Sequence, residues 1–214
     1  MTAQAELFVK ICGITELSDA VHAVEQGATA LGFVFWSRSP RCISPDRAAT
    51  ITAALRPGVQ TVGVFVNEAV DEIRLVADQA GLTTIQLHGD EPASYANELD
   101  RSVLRATTVD RIEQVAAAWP ADTIFLMDAA DPVLRGGTGR TVDWGRAAAA
   151  ARSWRIVLAG GLTPDNVAEA VDTVRPFGVD VSSGVEDAPG VKNRDKVARF
   201  LASARGAGGV RGER

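Results

Sequence analysis

Residues 156–186 read IVLAGGLTPDNVAEAVDTVRPFGVDVSSGVE, two short apolar runs separated by one amphipathic stretch. Ile156–Leu158 and Val179–Val181 have the β-branched, apolar character of buried strands, whereas Pro164–Val174 carries helical spacing. A strand, a helix and a second strand in this order make a parallel pair joined by a right-handed crossover. Each strand ends in a glycine-bearing turn, first Gly160-Gly161 and then Ser182-Ser183-Gly184.

Working outward, the same alternation fills the chain. Six further strands are expected near Leu7–Ile11, Ala30–Phe35, Gln60–Val66, Thr84–Leu87, Val103–Ala106 and Thr123–Met127. Amphipathic stretches lie at Leu17–Gln26, Pro45–Leu55, Ala69–Gln79 and Val191–Ala204. Eight βα units are the number that closes a (β/α)₈ barrel, but an open doubly wound sheet has the same local pattern. Periodicity alone leaves both. The 214 residues suit one domain, expected over 1–205, with GAGGVRGER from Gly206 expected to be a disordered tail.

Composition excludes several classes of function. Net charge is −5, so no overall positive field would hold nucleic acid or an acidic membrane. No apolar run approaches a membrane span, and the start MTAQAELFVK has no secretion-signal pattern. Cys12 and Cys42 are far apart and form no metal-spaced cluster, and a reducing cytoplasm is expected. No long exposed apolar stripe stands out, so a monomer is expected.

Barrel chemistry sits at the C-terminal ends of the strands. In LFVKICGIT, strand alternation sends Leu7, Val9 and Ile11 to one face and Phe8, Lys10 and Cys12 to the other. Packing the first set on helices turns Lys10 and Cys12 inward, with Cys12 at the mouth and Gly13 leaving the backbone open to a ligand. An inert buried thiol fits the same position. In DTIFLMDAAD, parity points Ile124, Leu126 and Asp128 inward. A carboxylate there is costly unless paired or functional, although a loop-capping role is equally open. Asp131 is the weaker candidate. The two glycine turns present backbone amides after the last two strands, where barrels recurrently bind phosphate. Gln86 and His88 share a face at the rim, and Asp180 points inward beside Lys10, with which it is expected to form a buried pair. Arg38 and Arg41 would each fork onto a carboxylate or stay solvated. His22 is expected on a helix surface, and LRGGTGRTVDW is expected to be a mobile flap rather than a nucleotide loop.

The segments VKICGIT, SPRCISPD, IQLHGDE, GGTGRTVDW, LAGGLTPDNV and VRPFGVDVSSGVE together resemble the signature blocks of phosphoribosylanthranilate isomerases. They run in the family's order over nearly the whole chain. The resemblance implies a single (β/α)₈ barrel that performs an Amadori rearrangement of a phosphorylated aminoaldose without a cofactor. It implies Cys12 as general base, Asp128 as general acid, Arg41 as the holder of the anthranilate carboxylate, and the glycine turns as the phosphate site. Cys42 departs from the family's usual aromatic residue after the matching Arg. On this reading burial should raise the Asp128 pKa, and a nearby cation should lower that of Cys12. The rival readings are the related histidine-pathway isomerase, which uses two carboxylates where this chain has Cys12, and a barrel that only binds a phosphorylated ligand. A mere binder needs no acid–base pair.

Overall fold

The pairing of the last barrel strand with the first decides how this chain closes. In the computed structural model, which describes residues 7–128 and 142–209, eight parallel strands form a closed barrel in sequence order. They are β1 (Phe8–Cys12), β2 (Ala30–Val34), β3 (Gln60–Phe65), β4 (Thr84–Leu87), β5 (Ser102–Thr107), β6 (Ile124–Met127), β7 (Arg155–Leu158) and β8 (Gly178–Val181). β8 returns to pair with β1, with Lys10 opposite Asp180, which rules out an open sheet. Alternate residues fill the interior: Phe8, Ala30, Val62, Leu104, Leu126 and Val157 pack together inside the barrel. The other parity, including Val9, Ile11, Leu31, Phe33, Ile85 and Phe125, packs against the helices in one continuous core.

The helices are α1 (Leu17–Glu25), α2 (Pro45–Ala53), α3 (Val70–Ala80), α4 (Tyr95–Glu98), α5 (Ile112–Ala118), α6 (Trp144–Ala151), α7 (Val167–Val174) and α8 (Arg194–Gly209). Local chemistry sets their ends. Ser44 accepts a hydrogen bond from the Arg47 amide with Pro45 following it, and Asp143 does the same for the Arg146 amide.

Three boundaries differ from expectation at the C-terminal end. α7 begins at Val167 rather than Pro164, because Thr163–Asn166 forms a turn in which the Thr163 amide donates to Asn166 Oδ1 at 2.8 Å. Val191 and Lys192 are not helical. They form β10 (Val191–Lys192), antiparallel to β9 (Glu186–Ala188), and the hairpin turns at Pro189-Gly190. Gly190 has φ +82°, which a turn with Pro at its first central position and Gly at its second requires. α8 then starts where Asn193 Oδ1 accepts from the Lys196 amide at 2.9 Å. It continues through Gly209, four residues into the segment expected to be a tail, since Ala204 and Ala207 extend its packed face. Most of the expected flap, with Asp131, lies outside the described residues.

Candidate active site

The mouth of the barrel is built from strand ends and the loops that follow them, so Cys12 and Asp180 take their direction from strand parity while Arg41 reaches in from the loop after β2. Cys12, Gln86, His88, Asp128, Asp180, Ser182 and Arg41 line one cavity of about 250 Å³. A smaller adjoining pocket is lined by Gly160, Gly161, Ser182, Ser183 and Gly184, and it shares Asp128 and Asp180 with the first. Cys12, Arg41, Gln86, His88, Asp128, Asp180 and the two glycine turns therefore line two adjoining pockets, whereas Asp131 lies outside the described residues. Arg38 is exposed, Cys42 is exposed on the outer side beside α2, and His22 sits on the α1 surface with Nε2 3.0 Å from the Arg194 carbonyl.

The two glycine turns interlock. Gly160 and Gly161 have φ +76° and +65°, the left-handed region that side chains with a Cβ disfavour. Asn166 holds this turn by donating from Nδ2 to the Gly161 carbonyl at 3.0 Å. Gly184 opens no unusual dihedral, but a Cβ there would lie 1.9 Å from the Leu162 carbonyl oxygen. The turn after β8, a single 3₁₀ turn over Ser183–Val185, thus seats directly on the turn after β7. Glycine turns packed in this way are a common setting for anion binding.

On β1, Lys10 Nζ lies 2.8 Å from Asp180 Oδ1, a buried pair as expected. Room for Lys10 and Cys12 side by side comes from Gly32, the register partner of Cys12. A Cβ on Gly32 would lie 2.8 Å from Cys12 Sγ and 3.0 Å from Lys10 Nζ. Burial works against the Lys10 charge, yet Asp180 and Cys12 outweigh it and hold the Lys10 pKa above its ordinary value. Cys12 corrects an expectation. Burial pushes its thiol pKa up, and the opposing pull of Lys10 and Lys192 does not reverse this, partly because Asp180 adds negative charge beside it.

Gly13, with φ +76°, also serves differently from expectation. The space a side chain would take is occupied by Arg41, whose Cδ would be 2.6 Å from a Cβ there, so the opening admits Arg41 rather than a ligand. Arg41 is gripped by Glu186: its Nε donates to both carboxylate oxygens at 3.0 and 3.1 Å, and Nη2 donates to Oε2 at 2.7 Å. At the opposite rim, Gln86 Nε2 lies 2.9 Å from His88 Nδ1, and His88 Nε2 lies 3.7 Å from Asp128 Oδ2.

Sequence reasoning missed four supporting groups. Glu186 and Lys192 escaped because the expected helix starts at Val191 and hides the second hairpin strand; the Pro189-Gly190 pair is the available signal. Arg105 and Glu91 hold the loop carrying His88. Arg105 donates to Glu91 Oε2 at 2.6 Å and to the Gly89 carbonyl at 2.9 Å, and Glu91 accepts from the Asn67 and Gly89 amides. An Arg in mid-strand on the helix-facing parity was the signal there. Among the described residues no group of three or more His, Cys, Asp or Glu has the arrangement of a metal site.

Fold and site together define a (β/α)₈-barrel enzyme whose candidate residues and two glycine turns gather at the C-terminal mouth. The family model for N-(5'-phosphoribosyl)anthranilate (PRA) isomerase matches residues 9–203. A Geobacter sp. (strain M21) N-(5'-phosphoribosyl)anthranilate isomerase is 52% identical over 198 residues, covering 92% of this chain and 97% of its own. The crystal structure of the Thermotoga maritima enzyme superposes with a TM-score of 0.87 at 42% identity, covering 94% of this chain and 99% of that one. A phosphoribosyl anthranilate isomerase in complex with reduced 1-(o-carboxyphenylamino)-1-deoxyribulose 5-phosphate superposes with a TM-score of 0.84 at 41% identity, with the same coverage. The chain belongs to the N-(5'-phosphoribosyl)anthranilate isomerase family.

Proposed function

We infer that this chain isomerises N-(5'-phosphoribosyl)anthranilate to 1-(o-carboxyphenylamino)-1-deoxyribulose 5-phosphate in tryptophan biosynthesis, with Cys12 as base and Asp128 as acid. The observation that carries the assignment of roles is the shared hollow. Arg41 and Cys12 line the larger pocket, the glycine turns line the smaller one, and Asp128, Asp180 and Ser182 line both. A substrate with a carboxylate at one end and a phosphate at the other would span the two.

In this orientation Asp128 donates its proton to the furanose ring oxygen. The C1′–O bond breaks and the anilino nitrogen lone pair forms the Schiff base. Cys12, whose raised pKa makes the thiolate the scarcer form in the unliganded protein, removes the C2′ proton as thiolate, and the C–H electron pair moves to form the enolamine while the nitrogen recovers its own pair. The enol hydroxyl loses its proton and C1′ gains one, leaving the ketone. Atoms and electrons balance within the substrate, because C1′ is reduced as C2′ is oxidised. One acid and one base set on different strands suit this sequence, and β6 lies three strands from β1 by the shorter way round the barrel. Arg41 would hold the anthranilate carboxylate by the guanidinium edge that Glu186 leaves uncovered. The amides around Gly160, Gly161, Ser182, Ser183 and Gly184 would hold the phosphate, with Gln86, His88 and Asp180 lining the sugar.

The protein acts on a small molecule. We read it as a cytoplasmic monomer that takes no nucleic acid or membrane partner. Among the described residues no helix is long and apolar enough to cross a membrane, and the large exposed apolar side chains are Leu17, Val21, Leu75 and Val191. Light scattering on the purified chain tests the monomer. The function itself is tested by adding the chain to freshly generated phosphoribosylanthranilate and following the loss of its fluorescence. Rapid loss with formation of the ribulose product is the expected result, and a rate equal to the uncatalysed background would overturn the reading.

A further inference from the structure

The hairpin β9–β10 sets Glu186 and Lys192 opposite one another as register partners, so their side chains share one face. Both are nearly inaccessible, at 4% and 2% side-chain exposure, a costly place for two charges unless each is fully engaged. Lys192 is. Its Nζ donates to the Cys12 carbonyl at 2.5 Å, the Ser182 carbonyl at 3.4 Å and Glu186 Oε1 at 2.6 Å. An ammonium has three N–H groups, so none is left for a substrate. Glu186 carries the connection onward by accepting from Arg41 Nε and Nη2. Arg41 has five N–H groups; this grip uses Nε and one hydrogen of Nη2 and leaves Nη1 without a hydrogen bond among the described residues. The Nη1–Nη2 edge is therefore held in a fixed direction, able to meet a carboxylate with two parallel bonds.

One ammonium thus ties together the end of β1 at Cys12, the end of β8 at Ser182, and the carboxylate that orients Arg41. We propose that Lys192 is a positioning residue that, through Glu186, aims Arg41 at the substrate carboxylate and fixes that grip relative to Cys12. The inference rests on the reading of Arg41 as carboxylate holder and Cys12 as base. Burial pushes the Lys192 pKa down against the pull of Glu186, while the hydrogen bonds and charges of Arg41 and Lys192 overcome burial to hold Glu186 below its ordinary value.

The test compares wild type with Lys192→Met, close to Lys in length but uncharged, and Glu186→Gln, which keeps the shape. Two ligands are titrated into each: reduced 1-(o-carboxyphenylamino)-1-deoxyribulose 5-phosphate, and the same compound lacking the ring carboxylate. Wild type should prefer the carboxylate ligand by about tenfold or more, the worth of one charge-assisted pair. Both variants should lose most of that preference while binding the decarboxylated ligand nearly as wild type does. Equal weakening toward both ligands would mean a general packing role and would overturn the proposal, as would an unchanged preference. A second readout needs no substrate. Lys192→Met should change the rate at which iodoacetamide alkylates Cys12 in the folded protein, whereas Glu186→Gln should change it much less. Identical alkylation in Lys192→Met and wild type would remove the link to Cys12. Failure of wild type to bind either ligand would instead strike the functional reading, while the alkylation result would still decide the Lys192 contact.

Discussion

Replacing Gly184 with Ala probes the contact between the two phosphate turns with a single methyl group. The new Cβ would stand 1.9 Å from the Leu162 carbonyl oxygen, whereas carbon and carbonyl oxygen approach to about 3.3 Å at closest. The turns would have to part by about 1.4 Å, the difference between those distances. Neither side is the far end of a flexible side chain: Leu162 contributes backbone, and its neighbour Thr163 is tied to Asn166. Overpacking of this kind costs about 1–3 kcal/mol in stability. A displacement near 1 Å in a substrate-positioning element costs about 100-fold in rate. Because the phosphate is remote from the reacting carbons, most of the loss should fall on KM, and kcat should fall less. Steady-state kinetics with phosphoribosylanthranilate, beside a urea unfolding curve, would read both. Gly184→Ala with wild-type KM and stability would refute the interlocked cradle. A loss confined to kcat would refute the assignment of phosphate to this end.

Three further outcomes follow from the β1 side of the site. Gly32→Ala would press a Cβ to 2.8 Å from Cys12 Sγ and 2.9 Å from Lys10 Cε, so kcat should drop by about 100-fold in a protein that still folds; an unchanged kcat would show that the two side chains can move apart freely. Lys10→Met leaves Asp180 buried without its 2.8 Å partner, and should cost about 3–5 kcal/mol by denaturant unfolding, most of which a second change of Asp180 to Leu should recover without recovering activity. Alkylation of Cys12 in the unliganded protein should rise with pH through a midpoint above 9.0, because burial favours the neutral thiol, and Lys10→Met should move the midpoint higher still. A midpoint below 9.0 would show that the cations dominate after all.

How much of this was legible in the sequence depended on whether a residue's role was set by periodicity or by tertiary approach. Strand alternation alone turned Lys10, Cys12, Leu126 and Asp128 inward, and these directions hold because a one-residue slip would exchange core and interior along the whole strand. Paired glycines announced the tight turn after β7, since left-handed backbone at Gly160 and Gly161 favours them. Closure of the barrel was not visible locally; it rests on β8 meeting β1 across 170 residues, Lys10 against Asp180. The hairpin was missed because Val191, Lys192 and the residues after them continue a helical spacing, and two cross-strand contacts outweigh that propensity. The rise in the Cys12 pKa was equally invisible, for it is a balance between burial and two cations whose distances no spacing reveals.

The claim at the centre of this account is that Cys12 and Asp128 are the proton-transfer pair, and single-turnover kinetics of Cys12→Ser and Asp128→Asn test it most directly. Each folded variant, with phosphoribosylanthranilate in deficit, should bind substrate with near wild-type affinity and convert it at least about 100-fold more slowly, the lower range for a positioned acid or base. Conversion at the wild-type rate by either variant would contradict the role given to that residue.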